Sequence, residues 1–368
     1  MTTIKIDRVQ YFFMIPNLLF GKAIGVTAGV MVRKLGADTW LSMTMGFAIG
    51  ILIMLLMTYL CSKFPEKTII QFSQELLGKW TSRGIGLLLA LFFIMTYGAS
   101  ASTLMLHLQE YFLPQTPFFI ICILYTSLCM YGVFLGIEVI VRFSLVGFIM
   151  SVLISVAMVT GTLGDLKTIN LRPIMDNGVL PNIFGSMYIF GDIAMAILAV
   201  GFLYPMLNKK QKVFKLTFWS MVLGAFLVLL WPLCETMVLG PALMKQYVVV
   251  CMQQIRSAQL TKYLPRYELI MVSFFVFEMF VQSATMAFCA KHCFKQITGI
   301  KKDWILILLI TVALIVVAYF MSVDHNKYID FLTTPYSQIC AILSITLPII
   351  LLIVAMFRGK LKKQIKKT

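Results

Sequence analysis

The stretch Leu19–Gly25, LFGKAIG, lies in the middle of the first apolar block of the chain and sets Lys22 about a dozen residues from either end of it. Roughly 170 residues later, Tyr188–Met195 reads YIFGDIAM, with Asp192 after Phe190 and Gly191 just as Lys22 follows Phe20 and Gly21. A dozen helical residues cover about 16–18 Å at ~1.5 Å each, farther than a lysine side chain snorkels. The Lys22 ammonium must therefore face protein or water inside the membrane. A buried charge without a counter-ion costs several kcal/mol, which makes Asp192 the leading candidate partner.

The composition places both stretches in a membrane protein. Hydrophobic residues make up 60% of the chain and charged residues 12%, with a mean hydropathy of +0.92. A soluble domain carries roughly 25% charged residues, so that class is excluded. The apolar residues fall in blocks of about 20, the length a helix needs to cross the hydrocarbon core. Ten spans are expected, at about 10–32, 40–61, 84–106, 117–135, 144–163, 181–206, 216–240, 268–290, 303–323 and 336–357. Glu138 and Arg142 are read as the polar turn between the fourth and fifth.

The net charge of +16 sits in short loops and in the C-terminal run RGKLKKQIKKT. That is the positive-inside pattern, not a nucleic-acid footprint, and it puts both termini on the cytoplasmic side. The eight cysteines are scattered through apolar blocks and read as small buried hydrophobes. Cys289, His292 and Cys293 lack a second ligand pair, so no metal site is expected. The first block, without a small-residue cleavage site, reads as a retained helix. Residues 68–80 predict a short amphipathic helix on the inner surface, with Ile69, Ile70, Phe72, Leu76 and Leu77 on one face. The loop 241–267, with Lys245, Arg256, Lys262 and Arg266, has room for a lid or a partner contact and reads equally as a solvated loop.

Ten spans divide into five plus five, which makes the first and sixth equivalent. The first holds Gly21, Gly25 and Gly29, and the sixth holds Gly185, Gly191 and Gly201. Glycine-interrupted segments at corresponding places of two halves mark the midplane site of transporters built from inverted repeats. The expected layout is a single membrane domain: repeat one over 10–163, repeat two over 181–357, and a basic tail over 358–368. Ligand-binding candidates are Gly21, Lys22, Gly25, Phe190, Gly191 and Asp192.

Three readings of the pair stand open. Lys22 and Asp192 receive the carboxylate and ammonium of a zwitterion; they form a permanent ion pair pinning the repeats; or Lys22 stands where related carriers bind a cation, and titrates. Glu235 in the seventh span and Glu278 in the eighth are candidates for proton relay or coupling. Their bland reading is a carboxyl hydrogen-bonded between helices, favoured for Glu235. No nucleophile–base constellation appears, so no enzyme and no cofactor is expected.

Several stretches resemble the spore germination permeases, the B-type membrane subunits of bacterial germinant receptors. They are GADTWLS (Gly36–Ser42), FPEKTIIQFSQELLGKW (Phe64–Trp80), LPQTP (Leu113–Pro117), GIEVIVR (Gly136–Arg142), NLRPIMDNGVLPNIFGS (Asn170–Ser186), LGPAL (Leu239–Leu243) and RYE (Arg266–Glu268). The resemblance implies membership of the amino acid–polyamine–organocation superfamily and a LeuT-like fold with discontinuous helices one and six. It also implies sensing of a small nutrient such as an amino acid in the spore inner membrane, beside an A-type membrane subunit and a C-type lipoprotein. Phe190-Gly191-Asp192 resembles the family's Phe-Gly-Glu with a shorter acid. Lys22, the lack of proline between Pro16 and Lys34, and VVVCMQQ (Val248–Gln254) depart from the family pattern. The expected function is a nutrient sensor, with contributions to its site from spans three and eight. A secondary transporter, with proton coupling through Glu278 or Lys22, and a non-binding structural subunit are the alternatives.

Overall fold

In the computed structural model, residues 6–176, 178–257 and 268–360 are described. They fold into fifteen α-helices joined by short 3-10 and π segments. The helices are α1 (Arg8–Lys22), α2 (Ala28–Leu35), α3 (Thr39–Lys63), α4 (Ile69–Leu77), α5 (Lys79–Tyr111), α6 (Phe118–Leu135), α7 (Ile137–Thr162) and α8 (Val179–Gly185). The second half continues with α9 (Phe190–Leu203), α10 (Val213–Met244), α11 (Val250–Ser257), α12 (Glu268–Thr298), α13 (Asp303–Val323), α14 (His325–Phe331) and α15 (Ser337–Phe357).

Nine runs among the described residues are long and apolar enough to cross a membrane. The first, Arg8–Lys63, has 56 residues. As one rod it would measure about 84 Å, nearly three times the ~30 Å hydrocarbon core. It turns at Gly36, whose φ of +59° an L side chain rarely adopts. The run is therefore two crossings, which makes ten among the described residues. The fifth span begins earlier than expected: α7 starts at Ile137, straight after Gly136 at φ +104°. Glu138 and Arg142 are not the turn itself; they pair at 3.7 Å along its first turns.

α1 and α9 form the centre. Every residue of α9 is buried, as are Met14 through Lys22 of α1. They pack on each other, while α3, α7, α10, α12 and α15 enclose them. A helix apolar on all sides belongs in such a position. The amphipathic segment forms as α4, opened by a Thr68–Gln71 capping box, with Ile69, Ile70, Phe72 and Leu76 buried. It packs on α5 and α15. Of the loop 241–267, residues 250–257 form α11, while Lys262 and Arg266 lie outside the described residues, as does most of the basic tail.

Two of the motif stretches meet at one end of the bundle. The Asp38 carboxylate accepts from the Met175 N–H (2.7 Å) and from Asn182 Nδ2 (3.0 Å), and the Ser42 hydroxyl donates to Asn182 Oδ1 (2.6 Å). This buried cluster ties α8, the first half of span six, to the start of α3.

Candidate functional site

The interruptions in spans one and six are changes of hydrogen-bond ladder, not stretches of extended chain. In span one, α1 passes into a π-helical turn at Ala23–Thr27, directly after Lys22. In span six, a 3-10 turn at Ser186–Ile189 joins α8 to α9. Each shift re-aims the side chains that follow it, and π turns of this kind recur at functional sites.

Lys22 and Asp192 face each other across these two places. Lys22 Nζ lies 2.8 Å from Asp192 Oδ1, with the side chains 2% and 0% exposed. Thr27, at the end of the π turn, donates its hydroxyl to Asp192 Oδ2 at 2.8 Å and accepts from Lys22 Nζ at 3.3 Å. Oδ2 thus takes a hydrogen bond and Oδ1 the Lys22 charge, although Oδ1 itself accepts no hydrogen bond among the described residues. Asp192 also stands in the first turn of α9, where the helix dipole favours an acid.

Three residues beyond the expected set complete the site. The Tyr336 ring lies 5.3 Å from Lys22 Nζ, and its hydroxyl donates to the Gly191 carbonyl at 2.9 Å. Gln282 of α12 bridges span one, with Nε2 donating to the Leu18 carbonyl (2.8 Å) and Oε1 accepting from the Lys22 N–H (3.3 Å). Thr27 is the third. Tyr336 closes a second π turn, Leu332–Tyr336, at the entry to span ten.

The expected glycines serve close approach. A Cβ on Gly191 would stand 2.9 Å from Tyr336 Cε1, and one on Gly25 2.6 Å from Thr103 Cγ2 and 3.2 Å from His107 Cε1. Gly21 faces Met279 and Gln282 of α12, so α5 and α12 both pack against this part of span one. Phe190, the first residue of α9, is buried. Beyond Gly25, α11 covers the π turn. Cys251 Sγ contacts the Gly25 carbonyl at 3.9 Å and His107 Nε2 at 3.7 Å. VVVCMQQ, a departure from the family pattern, thus supplies part of this cover.

The two other intramembrane acids stand apart from the pair. Glu278 is buried against Ser151 of α7, and its Oε1 has no partner among the described residues. The hydrogen-bonded neighbour expected for Glu235 is not found: both its oxygens are buried and unpartnered among the described residues. Its surroundings are α10 and Cys251 of α11.

The family model described as spore germination protein matches residues 5–327. The chain belongs to that family. Among curated relatives, spore germination protein KB of Bacillus subtilis (strain 168) is 26% identical over 246 residues, 61% of each chain. Spore germination protein YndE of the same organism is 24% identical over 185 residues, so the chain spans about half the length of that relative (51%). Spore germination protein GerQB of Bacillus cereus is 21% identical over 339 residues, 91% of each. Among solved structures, MhsT in complex with L-phenylalanine superposes with a TM-score of 0.66 at 13% identity, over 97% of this chain and 99% of that one. Mhp1, a nucleobase-cation-symport-1 family transporter with bromovinylhydantoin bound, gives 0.65 at 12% identity over 93% and 78%. The fold is the LeuT-like one. Family and fold neighbours alike are germination proteins and transporters, not enzymes.

Proposed function

We propose that the chain is the nutrient-sensing membrane subunit of a spore germinant receptor, taking a small amino-acid-like germinant at the Lys22–Asp192 locus. The observation that carries this reading is a fully buried ion pair set between the two interrupted helices. A zwitterion entering there exchanges one internal pair for two: its carboxylate onto Lys22 and its ammonium onto Asp192 and Thr27. Such an exchange conserves charge pairing, so it shifts a conformational balance without leaving a buried charge alone. The ligated fold neighbour, MhsT with L-phenylalanine, supports an amino acid as the ligand class. The site would lie in the spore inner membrane, both termini on the core side, with signalling through an A-type membrane subunit and a C-type lipoprotein.

One observation favours a second reading. The pair already satisfies itself at 2.8 Å, with Thr27 on the far carboxylate oxygen, as a permanent pin between repeats would. Germination of spores carrying Lys22→Ala, Asp192→Ala and the swapped pair Lys22→Asp/Asp192→Lys separates the two, with receptor levels followed by immunoblot. Normal protein levels with a shifted germinant response support the sensor. Depleted singles rescued by the swap support the pin and move the ligand elsewhere. Uptake of labelled amino acid into proteoliposomes would instead make the chain a secondary transporter.

A further inference from the structure

Successive crossings alternate in direction, so the starts of α1, α5, α10 and α13 and the end of α15 lie at one face of the bundle. Large aromatic residues stand exposed there: Trp80, Trp219, Trp304 and Phe357. Tryptophan gathers where headgroups meet hydrocarbon, and this ring marks that depth on the protein.

At this depth a pocket of about 290 Å³ opens between the start of α1 and the start of α10. Arg8, Lys212 and Lys215 line it with Gln211, and Phe12, Leu216 and Trp219 form its apolar wall. No acid lines it, and none of the three cations has an ion pair among the described residues. Asp7, next to Arg8, is occupied capping α1 through the Val9 N–H. The Arg8 guanidinium donates from Nε to the Lys209 carbonyl (3.2 Å), while its Nη2 is buried with no acceptor. α10 opens without a side-chain cap and without an acid in its first turn, leaving its first N–H groups free to meet an anion. Three unpaired cations, a shielded donor and an apolar wall at headgroup depth share one complement: a phosphate carrying hydrocarbon.

We infer that this pocket binds the phosphate of an anionic phospholipid, with the acyl region against Phe12, Leu216 and Trp219. The site borders the first turn of α1, one of the two interrupted helices, and the start of α10, which follows the other. Arg8 is the first residue of α1, which carries Lys22. Ile6, two residues earlier, is already bonded to the end of span six through Ile6 N–H to Met206 O (2.8 Å) and Asn208 N–H to Ile6 O (3.0 Å). A lipid phosphate shared by Arg8 and α10 restrains this end of α1, so the anionic lipid content of the membrane sets how freely span one moves.

The test is native mass spectrometry of the full chain in detergent, titrated with phosphatidylglycerol, phosphatidylcholine of matched acyl chains, or inorganic phosphate. Wild type is expected to hold phosphatidylglycerol at least about tenfold more tightly than phosphatidylcholine. Each of Arg8→Gln, Lys212→Gln and Lys215→Gln is expected to weaken it roughly fivefold, at ~1 kcal/mol per basic residue near a lipid surface. The triple variant abolishes the preference. Lys212→Gln changes an exposed loop residue, so it stays informative if Arg8→Gln fails to fold. Equal binding of the two lipids, or a triple variant that keeps the preference, overturns the inference. Displacement of the lipid by millimolar inorganic phosphate overturns the lipid assignment in favour of a free anion.

Discussion

Lys22 and Asp192 on one side, and Glu278 and Glu235 on the other, are buried to the same degree and handled in opposite ways. The first two are each other's counter-ion, with the Thr27 hydroxyl on Asp192 and the Tyr336 ring beside Lys22. The two glutamates have no counter-ion at all among the described residues. Removing half of a pair strands a charge, whereas neutralising a lone acid strands nothing. The two places therefore differ in what a substitution does to stability.

The largest expected effect follows from breaking the pair. Lys22→Met or Asp192→Leu alone should cost about 3–5 kcal/mol, because each leaves its partner unpaired in the core. The double variant should recover most of that loss, as apolar replacements of buried pairs often do. Denaturation midpoints of the purified protein, singles against double, check both statements. A double variant no more stable than the singles would mean that the two charges are not coupled.

Gly191→Ala should come next. Its Cβ meets the Tyr336 ring at 2.9 Å, and overpacking of this kind costs about 1–3 kcal/mol. Pairing it with Tyr336→Leu should relieve part of the loss in the same melting assay. Tyr336→Phe removes only the hydroxyl bond to the Gly191 carbonyl, for about 0.5–1.5 kcal/mol, and keeps the ring beside Lys22. On the other side of the comparison, Glu278→Gln should shift the midpoint by less than about 1 kcal/mol, since it strands no partner. A loss as large as that of Asp192→Leu would show that Glu278 has a counter-ion after all.

The pairing was legible in the sequence because a lysine at membrane depth forces a partner, and the glycine-flanked acid at the matching place in the second half was the evident choice. The span count was legible for a similar reason, since bilayer thickness dictates block length. The ladder changes were not. Nothing about Ala23–Thr27 distinguishes a π turn from an α turn, because the difference lies in which carbonyl each N–H finds. Tyr336, Gln282 and Thr27 escaped notice because tyrosines, glutamines and threonines are common in such helices, and sequence position alone does not give depth. The start of α7 was missed because Glu138 and Arg142 looked like turn residues, yet Gly136 alone makes the turn.

The smallest effect concerns the loop face. Glu75 of α4 is held below the usual carboxylate range by Lys360 first and Lys67 second. A carboxyl lowered on folding adds stability above its ordinary value and loses it as pH falls through the lowered one. The difference in unfolding free energy between wild type and Lys360→Gln, followed by melting, should therefore be small at neutral pH, under about 1 kcal/mol, and should close as pH falls below about 4.

The distance along the chain between Lys22 and Asp192 has a consequence for biogenesis. At about 5–20 residues per second, the ribosome needs on the order of 10–30 s after Lys22 to deliver Asp192. Throughout that interval the first span carries its lysine with no counter-ion, at a cost of about 2.5–3.5 kcal/mol on the insertion scale. The apolar side chains around it, from Tyr11 to Leu19 and from Ala23 to Val32, must outweigh that cost before the sixth span arrives. The first helix is therefore inserted on hydrophobicity alone and acquires its electrostatic partner only when the sixth span packs against it.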